Sequence, residues 1–255
     1  MTTNAPTIYD DGTYLSTNPD WHSQDSDWKA QQLMSLFDSR ILSALRRSGT
    51  TIAEIGCGYG GVLAAAKEWL GTQCIRCEAT GYDISKIACA EASRRHADIR
   101  IVCGEFPAAH ETYDLIILAD VLEHVAGPGQ LLRSASKRCR FLLLHIPLEA
   151  NLYVRLLHGA DYRSWLRHDR GHIHLFTKDS AIRLICSARA KILSWKYTTW
   201  GLDLYLPGTG RSAPVVRFLR SVGMPCCPDV TVRVLGGASL GCLCKTERRT
   251  RGPLQ

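Results

Sequence analysis

At 255 residues, with 45% hydrophobic and 22% charged side chains, the chain has an ordinary globular composition and enough apolar material for one large core. A net charge of +7 permits anionic partners without demanding them, and no apolar run approaches the length of a membrane span. The polar, acidic start "MTTNAPTIYDDGTYL" is neither a secretory signal nor a transit peptide, so the expected location is cytoplasmic, with no membrane partner. Eleven cysteines, odd in number and scattered through apolar patterns, read as small buried hydrophobes of a reduced protein. Cys74 and Cys77 make the one C-x-x-C, and no second pair stands at zinc-ribbon spacing.

Residues 1–20 lack periodicity and read as an irregular arm. "DSDWKAQQLMSLFDSRILSALRRSG" (25–49) reads as one helix, capped by Asp25 or Ser26 and striped by Leu33, Phe37, Ile41 and Leu45. Strands and helices then alternate. "TTIAEIGCG" is a buried strand running into a glycine loop, and "GVLAAAKEWLG" a helix. "ATGYDIS" is a second strand, with Ser85 capping the helix that follows it. "DIRIVCGE" and "YDLIILAD" are the third and fourth strands, followed by a short helix in "VLEHV" and a longer one in "GPGQLLRSASKRC". "RFLLLHIP" is the fifth. Apolar strands alternating with amphipathic helices predict a parallel sheet covered on both faces. Residues 148–176 are polar and basic, "TKDSAIRLICSARA" is a helix capped by Thr177, and "KILSWKYTTWGLDLYL" and "ASLGCLCKT" are strands. Residues 206–237 stay ambiguous, and no linker splits the chain.

The glycine loop "AEIGCGYGG" fits two patterns. Gly56, Gly58 and Gly61 match G-x-G-x-x-G, which cradles a dinucleotide pyrophosphate; Gly56, Gly58 and Gly60 match G-x-G-x-G, which holds S-adenosylmethionine. Asp83 stands where either cofactor wants an acid for its ribose. The strand ends decide. Glu54, Asp83, Glu105 and Asp120 place a carboxylate on one rim from each of four successive strands. A pyrophosphate there would face like charges, and one such pair at ~4 Å costs about 4 kcal/mol even at an effective dielectric of about 20. A sulfonium with an ammonium suits the rim better.

In order and spacing, "EIGCGYG", "GYDIS", "GEF", "YDLIILADVLEHV" and "LLLHIP" resemble the class I S-adenosylmethionine-dependent methyltransferases over residues 50–147, in their bacterial small-molecule type. "GHIHLFTKDSAIRLI" resembles the entry to their late helix, and "WHSQDSDWKA" the lid helix of one subgroup. The resemblance implies a Rossmann-like seven-stranded, mostly parallel α/β sheet whose last strand is antiparallel, with helices on both faces. It divides the chain into an N-terminal arm and helical lid (1–49), the cofactor-binding domain (50–246) with an acceptor-side insert (148–176), and a basic tail (247–255). It also implies that Gly56, Cys57, Gly58 and Gly60 wrap the methionine part while Glu54 orients the loop or the amino group. Asp83 would hold the ribose, Ile84 and then Glu105 and Phe106 the adenine, and Ala119 and Asp120 the amino end.

The acceptor side carries more than one reading. Methyl transfer is an in-line displacement in which placement does most of the work, and a hydroxyl acceptor additionally needs a base or a metal. His124, His172 and His145 are the candidate bases. Asp120, Glu123 and His124 form D-x-x-E-H, similar to the E-x-x-E-H that binds a divalent ion in ubiquinone-pathway O-methyltransferases and RNA 3′-end 2′-O-methyltransferases, with His174 or His172 as a further ligand. The reading without a metal stands beside it. Trp21 and His22 are expected to close over the site. Tyr153, Arg155, Tyr162 and Trp165, with Arg163, Arg167 and Arg170, are expected to face an anionic or planar acceptor: a small molecule methylated at oxygen or nitrogen first, RNA as the alternative. Sulfonium chemistry other than methyl transfer, such as an intramolecular cyclase or lyase reaction, is the third reading.

Overall fold

A strand that is apolar at every position must be covered on both faces. The fourth strand, β4 (Tyr113–Ala119), meets that condition, with every residue but the last buried. In the computed structural model, which describes residues 25–46, 49–106, 111–159, 171–199 and 214–247, it lies at the centre of a seven-stranded sheet of order β3-β2-β1-β4-β5-β7-β6. The other strands are β1 (Thr50–Ile55), β2 (Cys77–Asp83), β3 (Arg100–Cys103), β5 (Cys139–Pro147), β6 (Ala190–Thr198) and β7 (Ser239–Thr246). β1 to β5 pair in parallel, and β7 runs antiparallel to both β5 and β6. The expected sheet and its antiparallel last strand are present.

Alternation along β4 divides the core. Ile116 and Leu118 face one layer, where Leu132 and Ala135 of α5 (Pro128–Ser136) and Ala181 and Ile185 of α7 (Lys178–Ser187) cover them. Leu115 and Ile117 face the other, against Leu33 of α1 (Ser26–Met34), Ile41 and Leu45 of α2 (Ser39–Leu45) and Leu63 and Leu70 of α3 (Gly61–Thr72). Each such large side chain contributes about 1.5–3 kcal/mol relative to exposure. Cys242 and Cys244 are both fully buried, as small hydrophobes of the core. Ser85 caps α4 (Lys86–Arg95) by accepting from Ala88 N, and Thr177 with Ser180 forms a reciprocal cap on α7.

Three expectations need correction. Residues 25–49 form two helices rather than one: Asp38 is extended, and its side chain accepts from Ile41 N at 2.8 Å, so the aspartate starts α2 instead of continuing α1. Asp25 makes no cap bond and pairs with Lys29. "VLEHV" is a turn, because Asp120 enters it left-handed (φ +55°) and Pro128 opens the next helix. The ambiguous stretch contains α8 (Pro214–Cys226) and α9 (Pro228–Leu235), and the basic insert contains α6 (Leu152–His158). Trp21, His22, Tyr162, Arg163, Trp165, Arg167, Arg170 and the tail from 248 onward lie outside the described residues. Among the described residues no helix is long and apolar enough to cross a membrane.

Candidate active site

In an open parallel sheet, ligands bind beyond the carboxyl ends of the strands where the order reverses. Here that point lies between β1 and β4. The β1 loop supplies the glycines. Gly56, Gly58 and Gly60 have φ of +72°, +52° and +82°, whereas Gly61 begins α3. The left-handed positions therefore follow G-x-G-x-G. A Cβ on Gly56 would stand 2.6 Å from Val121 Cγ2, and one on Gly60 2.9 Å from His96 Cδ2. Gly61 has its own steric reason for being glycine, since Ser26 Oγ of α1 would lie 2.5 Å from its Cβ. Cys57 turns its thiol beneath the loop toward Gly81, and burial pushes the thiol pKa far up, so only its backbone faces the rim.

Asp83 ends β2 with one oxygen accepting from Gly58 N at 2.8 Å and the other from Ser85 N at 2.8 Å. It therefore holds the glycine loop in place while keeping lone pairs for a further donor. Ile84, beside it, is an exposed apolar side chain. Glu105 follows β3 at the same rim, but Phe106 packs against Tyr82, with 5.2 Å between ring centroids, and lies beneath Arg138, 5.6 Å from centroid to guanidinium. That ring is used by the core. Glu54 is 2% exposed; Leu63 N donates to the carboxylate while Oε2 has no partner. Burial, then Asp83 and Asp120, raise its pKa well above the carboxylate range against the opposing pull of Leu63 N–H and Lys29.

The rim is not purely negative. Lys29 of α1 reaches Asp120 at 2.8 Å and Asp25 at 3.1 Å. Burial opposes its charge, but Asp120 and Asp25 outweigh that and raise its pKa. The second Asp120 oxygen pairs with His145 Nδ1 at 2.5 Å, and His145 Nε2 meets Thr198 Oγ1 of β6 at 2.8 Å. Burial acts to raise the Asp120 pKa, yet His145 and Lys29 hold it well below the usual carboxylate range. With both ring nitrogens engaged, His145 is an anchor for Asp120 and not a base, which corrects its candidacy. Lys29→Met, which leaves Asp25 and Asp120 without their cation, is expected to lower the unfolding free energy by about 3 kcal/mol in urea denaturation.

On the acceptor side the metal set expected from D-x-x-E-H does not assemble as such: Asp120 is engaged by Lys29 and His145, and His174 tilts onto Phe176. Glu123, His124 and His172 do come together, each offering a ligand atom within 4.8 Å of the others. The turn is fixed by its backbone, since Ile173 N and His174 N both donate to Glu123 O. His124 Nδ1 donates to the Gly171 carbonyl at 3.2 Å, and His172 Nδ1 donates to Glu149 Oε2. The two rings meet edge to face, 4.7 Å between centroids. Burial, then His172, lowers the His124 pKa to about 4, so that ring is neutral. Glu123 is 1% exposed and neither oxygen is hydrogen-bonded, Oε1 lying 3.8 Å from His124 Nε2; burial, then Asp120, raises its pKa far up. Arg155 of α6 is exposed, and Tyr153 lies beneath Arg220, 5.9 Å from ring centroid to guanidinium.

Sequence reasoning missed Lys29, Trp28 and Glu149. The i,i+4 spacing of Asp25 and Lys29 was a local signal. Glu149, just beyond β5, follows the strand-end rule that found the other carboxylates. Six buried polar atoms without a hydrogen-bond partner among the described residues belong to this region: Asp25 Oδ1, Trp28 Nε1, Glu54 Oε2, both Glu123 oxygens and His174 Nε2. Folded chains pair nearly all such atoms, so their concentration here fits groups brought by ligands.

Residues 28–188, more than half of the chain, match the family model described as a methyltransferase domain. The chain belongs to this family, and its fold is the class I S-adenosylmethionine-dependent type. A ubiquinone biosynthesis O-methyltransferase of Cereibacter sphaeroides is 34% identical over 120 residues, 46% of this chain and 46% of the relative. One from Caulobacter vibrioides is 31% identical over 115 residues, 42% and 43% of the two chains. The chain thus spans about half the length of the curated relatives it matches. In fold it is similar to a plantazolicin methyltransferase solved in complex with SAH, with TM-score 0.59 and 17% identity over 95% of this chain and 94% of the other. S-Adenosylmethionine is the cofactor of this class.

The residues present fit that group. The glycine loop leaves no room for Cβ atoms at Gly56 and Gly60, Asp83 retains lone pairs for hydroxyls, and Glu54 Oε2 is a buried acceptor without a donor. A cation arriving at Glu54 would favour its ionised form, so binding is expected to release a proton. Calorimetry of S-adenosylhomocysteine binding in two buffers of different ionisation enthalpy is expected to show that release, with affinity rising as pH increases from the ordinary carboxyl value toward the raised one. Glu54→Gln is expected to abolish it.

Proposed function

We propose that this chain transfers a methyl group from S-adenosylmethionine to a hydroxyl oxygen of a small molecule, with His172 as general base. The observation that carries this reading is the Glu149–His172 pair. A carboxylate fixes Nδ1 of the imidazole as a donor and leaves the lone pair on Nε2, the arrangement a hydroxyl acceptor requires and an amine acceptor does not. The names of the ubiquinone O-methyltransferase relatives support oxygen as the target.

The cofactor, when bound, supplies an electrophilic methyl group and a leaving thioether. The chain does the rest. Glu54, Asp83 and the loop at Gly56, Gly58 and Gly60 hold the cofactor, with Cys57 contributing backbone, Ile84 and Glu105 beside the base, and Ala119 and Asp120 at the amino end. Trp28 and Lys29 of α1 cover the methionine end and exclude water. His172 Nε2 takes the proton of the acceptor hydroxyl as oxygen approaches carbon, and Glu149 stabilises the imidazolium that forms. His124, held neutral, packs against the ring of His172 and fixes its plane.

A second reading is favoured by the Glu123 carboxyl group, buried with neither oxygen hydrogen-bonded. Glu123, His124 and His172 would hold a divalent ion, which acidifies an acceptor hydroxyl. In both histidines Nδ1 is tied to an oxygen acceptor, as in ligands oriented from behind. The test is turnover with methyl-labelled S-adenosylmethionine on a panel of phenols, catechols, carboxylates, amines and an RNA 3′ end, before and after chelation. Expected are S-adenosylhomocysteine and a methyl ether. Methylthioadenosine as product, or transfer confined to RNA, defeats the proposal. Loss of turnover on chelation, restored by a divalent ion, selects the second reading.

A further inference from the structure

Two sulfurs meet at the backbone of Asp83. β2 and β3 pair in parallel with Asp83 opposite Cys103, so the two residues end their strands side by side. Strand alternation puts Cys103 on the face of Ile101, whose Cδ1 would stand 3.1 Å from a Cβ on Gly81. α4 packs on both strands and brings Cys89, 6% exposed, to the junction. The Cys89 thiol donates to the Asp83 carbonyl at 3.4 Å, and the Cys103 thiol is its hydrogen-bond neighbour. Cys103 itself is exposed, and both thiols are free. A buried thiol in contact with an exposed one from another element can join it without unfolding.

The backbone around this pair carries the acid of the cofactor site. Asp83 O also accepts from Gly104 N at 2.7 Å, Cys89 N donates to Ser85 O at 2.9 Å, and Ser85 N donates to the Asp83 carboxylate. Movement of Cys89 toward Cys103 therefore acts on Asp83 from two sides, through Ser85 and through Gly104. A disulfide bond of about 2.05 Å requires the sulfurs to close from hydrogen-bond contact. That closure withdraws the Cys89 donor from the Asp83 carbonyl and draws α4 toward β3. We infer that Cys89 and Cys103 are an oxidation site whose disulfide displaces Asp83 and weakens cofactor binding.

The oxidant is a peroxide. Exposure makes Cys103 the first sulfur to react: its thiolate attacks a peroxide oxygen, the O–O bond breaks, and the departing hydroxide takes up the thiol proton as water, leaving a sulfenic acid. The Cys89 sulfur then attacks that sulfur. The S–S bond forms, the S–O bond breaks, and a second water carries away the Cys89 proton. Two thiols have lost two electrons and one hydrogen peroxide has become two waters. Burial, then the bond with Cys103, pushes the Cys89 thiol up to about 12, so contact with its neighbour, and not thiolate population, drives the second step.

The inference rests on the cofactor assignment and not on the choice of acceptor. The test takes the full chain, reduced or treated with hydrogen peroxide, blocks remaining thiols with N-ethylmaleimide and maps cross-links by mass spectrometry. Calorimetry on the same samples gives the S-adenosylhomocysteine affinity. Expected are a Cys89–Cys103 cross-link and an affinity about tenfold lower after oxidation, regained with dithiothreitol. By reciprocity, saturating S-adenosylhomocysteine should raise the reduction potential of the pair by the same factor, about 30 mV for two electrons. Cys103→Ser changes an exposed side chain, and should bind like the reduced wild type with or without peroxide. Three results overturn the inference: peroxide that leaves Cys89 free or joins it to Cys57, a cross-linked protein that binds as tightly as the reduced one, or Cys103→Ser losing affinity in peroxide as wild type does. Reduced wild type that binds no S-adenosylhomocysteine ends the cofactor assignment, and the inference with it.

Discussion

His172→Ala is expected to lower kcat by about 10²–10⁴ while leaving S-adenosylhomocysteine affinity within a factor of about two. Removing the imidazole takes away the acceptor for the hydroxyl proton, and none of the cofactor contacts runs through it. Glu149→Gln keeps the shape but replaces an anion with an amide, so the imidazolium formed during transfer loses its counter-charge. The expected loss there is smaller, about tenfold to a hundredfold, and falls on kcat. Single-turnover rates with saturating cofactor check both. If His172 acts only through packing, His172→Asn or His172→Gln should restore the rate, and that outcome removes the base from the mechanism. Replacing Glu123 separates the two acceptor-site readings: Glu123→Gln is expected to be mild without a metal, and as severe as His172→Ala with one.

Asp83→Ala should weaken S-adenosylhomocysteine binding by about two orders of magnitude or more, from two losses that add. Hydrogen bonds from ribose hydroxyls to a carboxylate are each worth roughly 1.5–3 kcal/mol. The same carboxylate holds Gly58 N and Ser85 N at 2.8 Å each, so its removal also releases the loop that must lie along the ligand. Asp83→Asn tells the two apart: an amide turns one NH2 toward a backbone N–H and disturbs the loop even where the ribose contact survives. Calorimetry on the three proteins, with NAD as the negative control, is the measurement. Wild-type NAD binding at the same affinity would end the cofactor assignment.

What the sequence discloses here depends on distance along the chain. Gly56, Gly58, Gly60 and Asp83 stand within one strand–helix–strand unit, so the left-handed glycine loop and the acid that holds it were legible as a local arrangement. The number of strands and the antiparallel last strand came through a family resemblance rather than through periodicity. The long-range pairs were hidden. Nothing local in "DSDWKA" says that Lys29 meets Asp120, nor in "PLEAN" that Glu149 meets His172. His145 looked like a base because its place on β5 was right; only the structure shows Asp120 and Thr198 taking both nitrogens. The single helix expected over 25–49 failed on Asp38, whose cap is a side-chain effect competing with a continuous apolar stripe. The helices α8 and α9 escaped because little of them is held by the core: α8 turns Val215, Phe218, Leu219 and Val222 outward, and α9 commits Val232.

Asp120 gathers distant parts of the chain at one carboxylate: Lys29 from the first described helix, His145 from the fifth strand and, through it, Thr198 from the sixth. During synthesis, the nucleoside half of the cleft is complete once β4 emerges, but its far wall has to wait for β6. A ribosome-stalled fragment ending before residue 190 therefore carries a ligand cradle in which Asp120 has Lys29 and His145 but His145 still lacks Thr198 behind it. Productive ligand capture should lag behind assembly of the central strands.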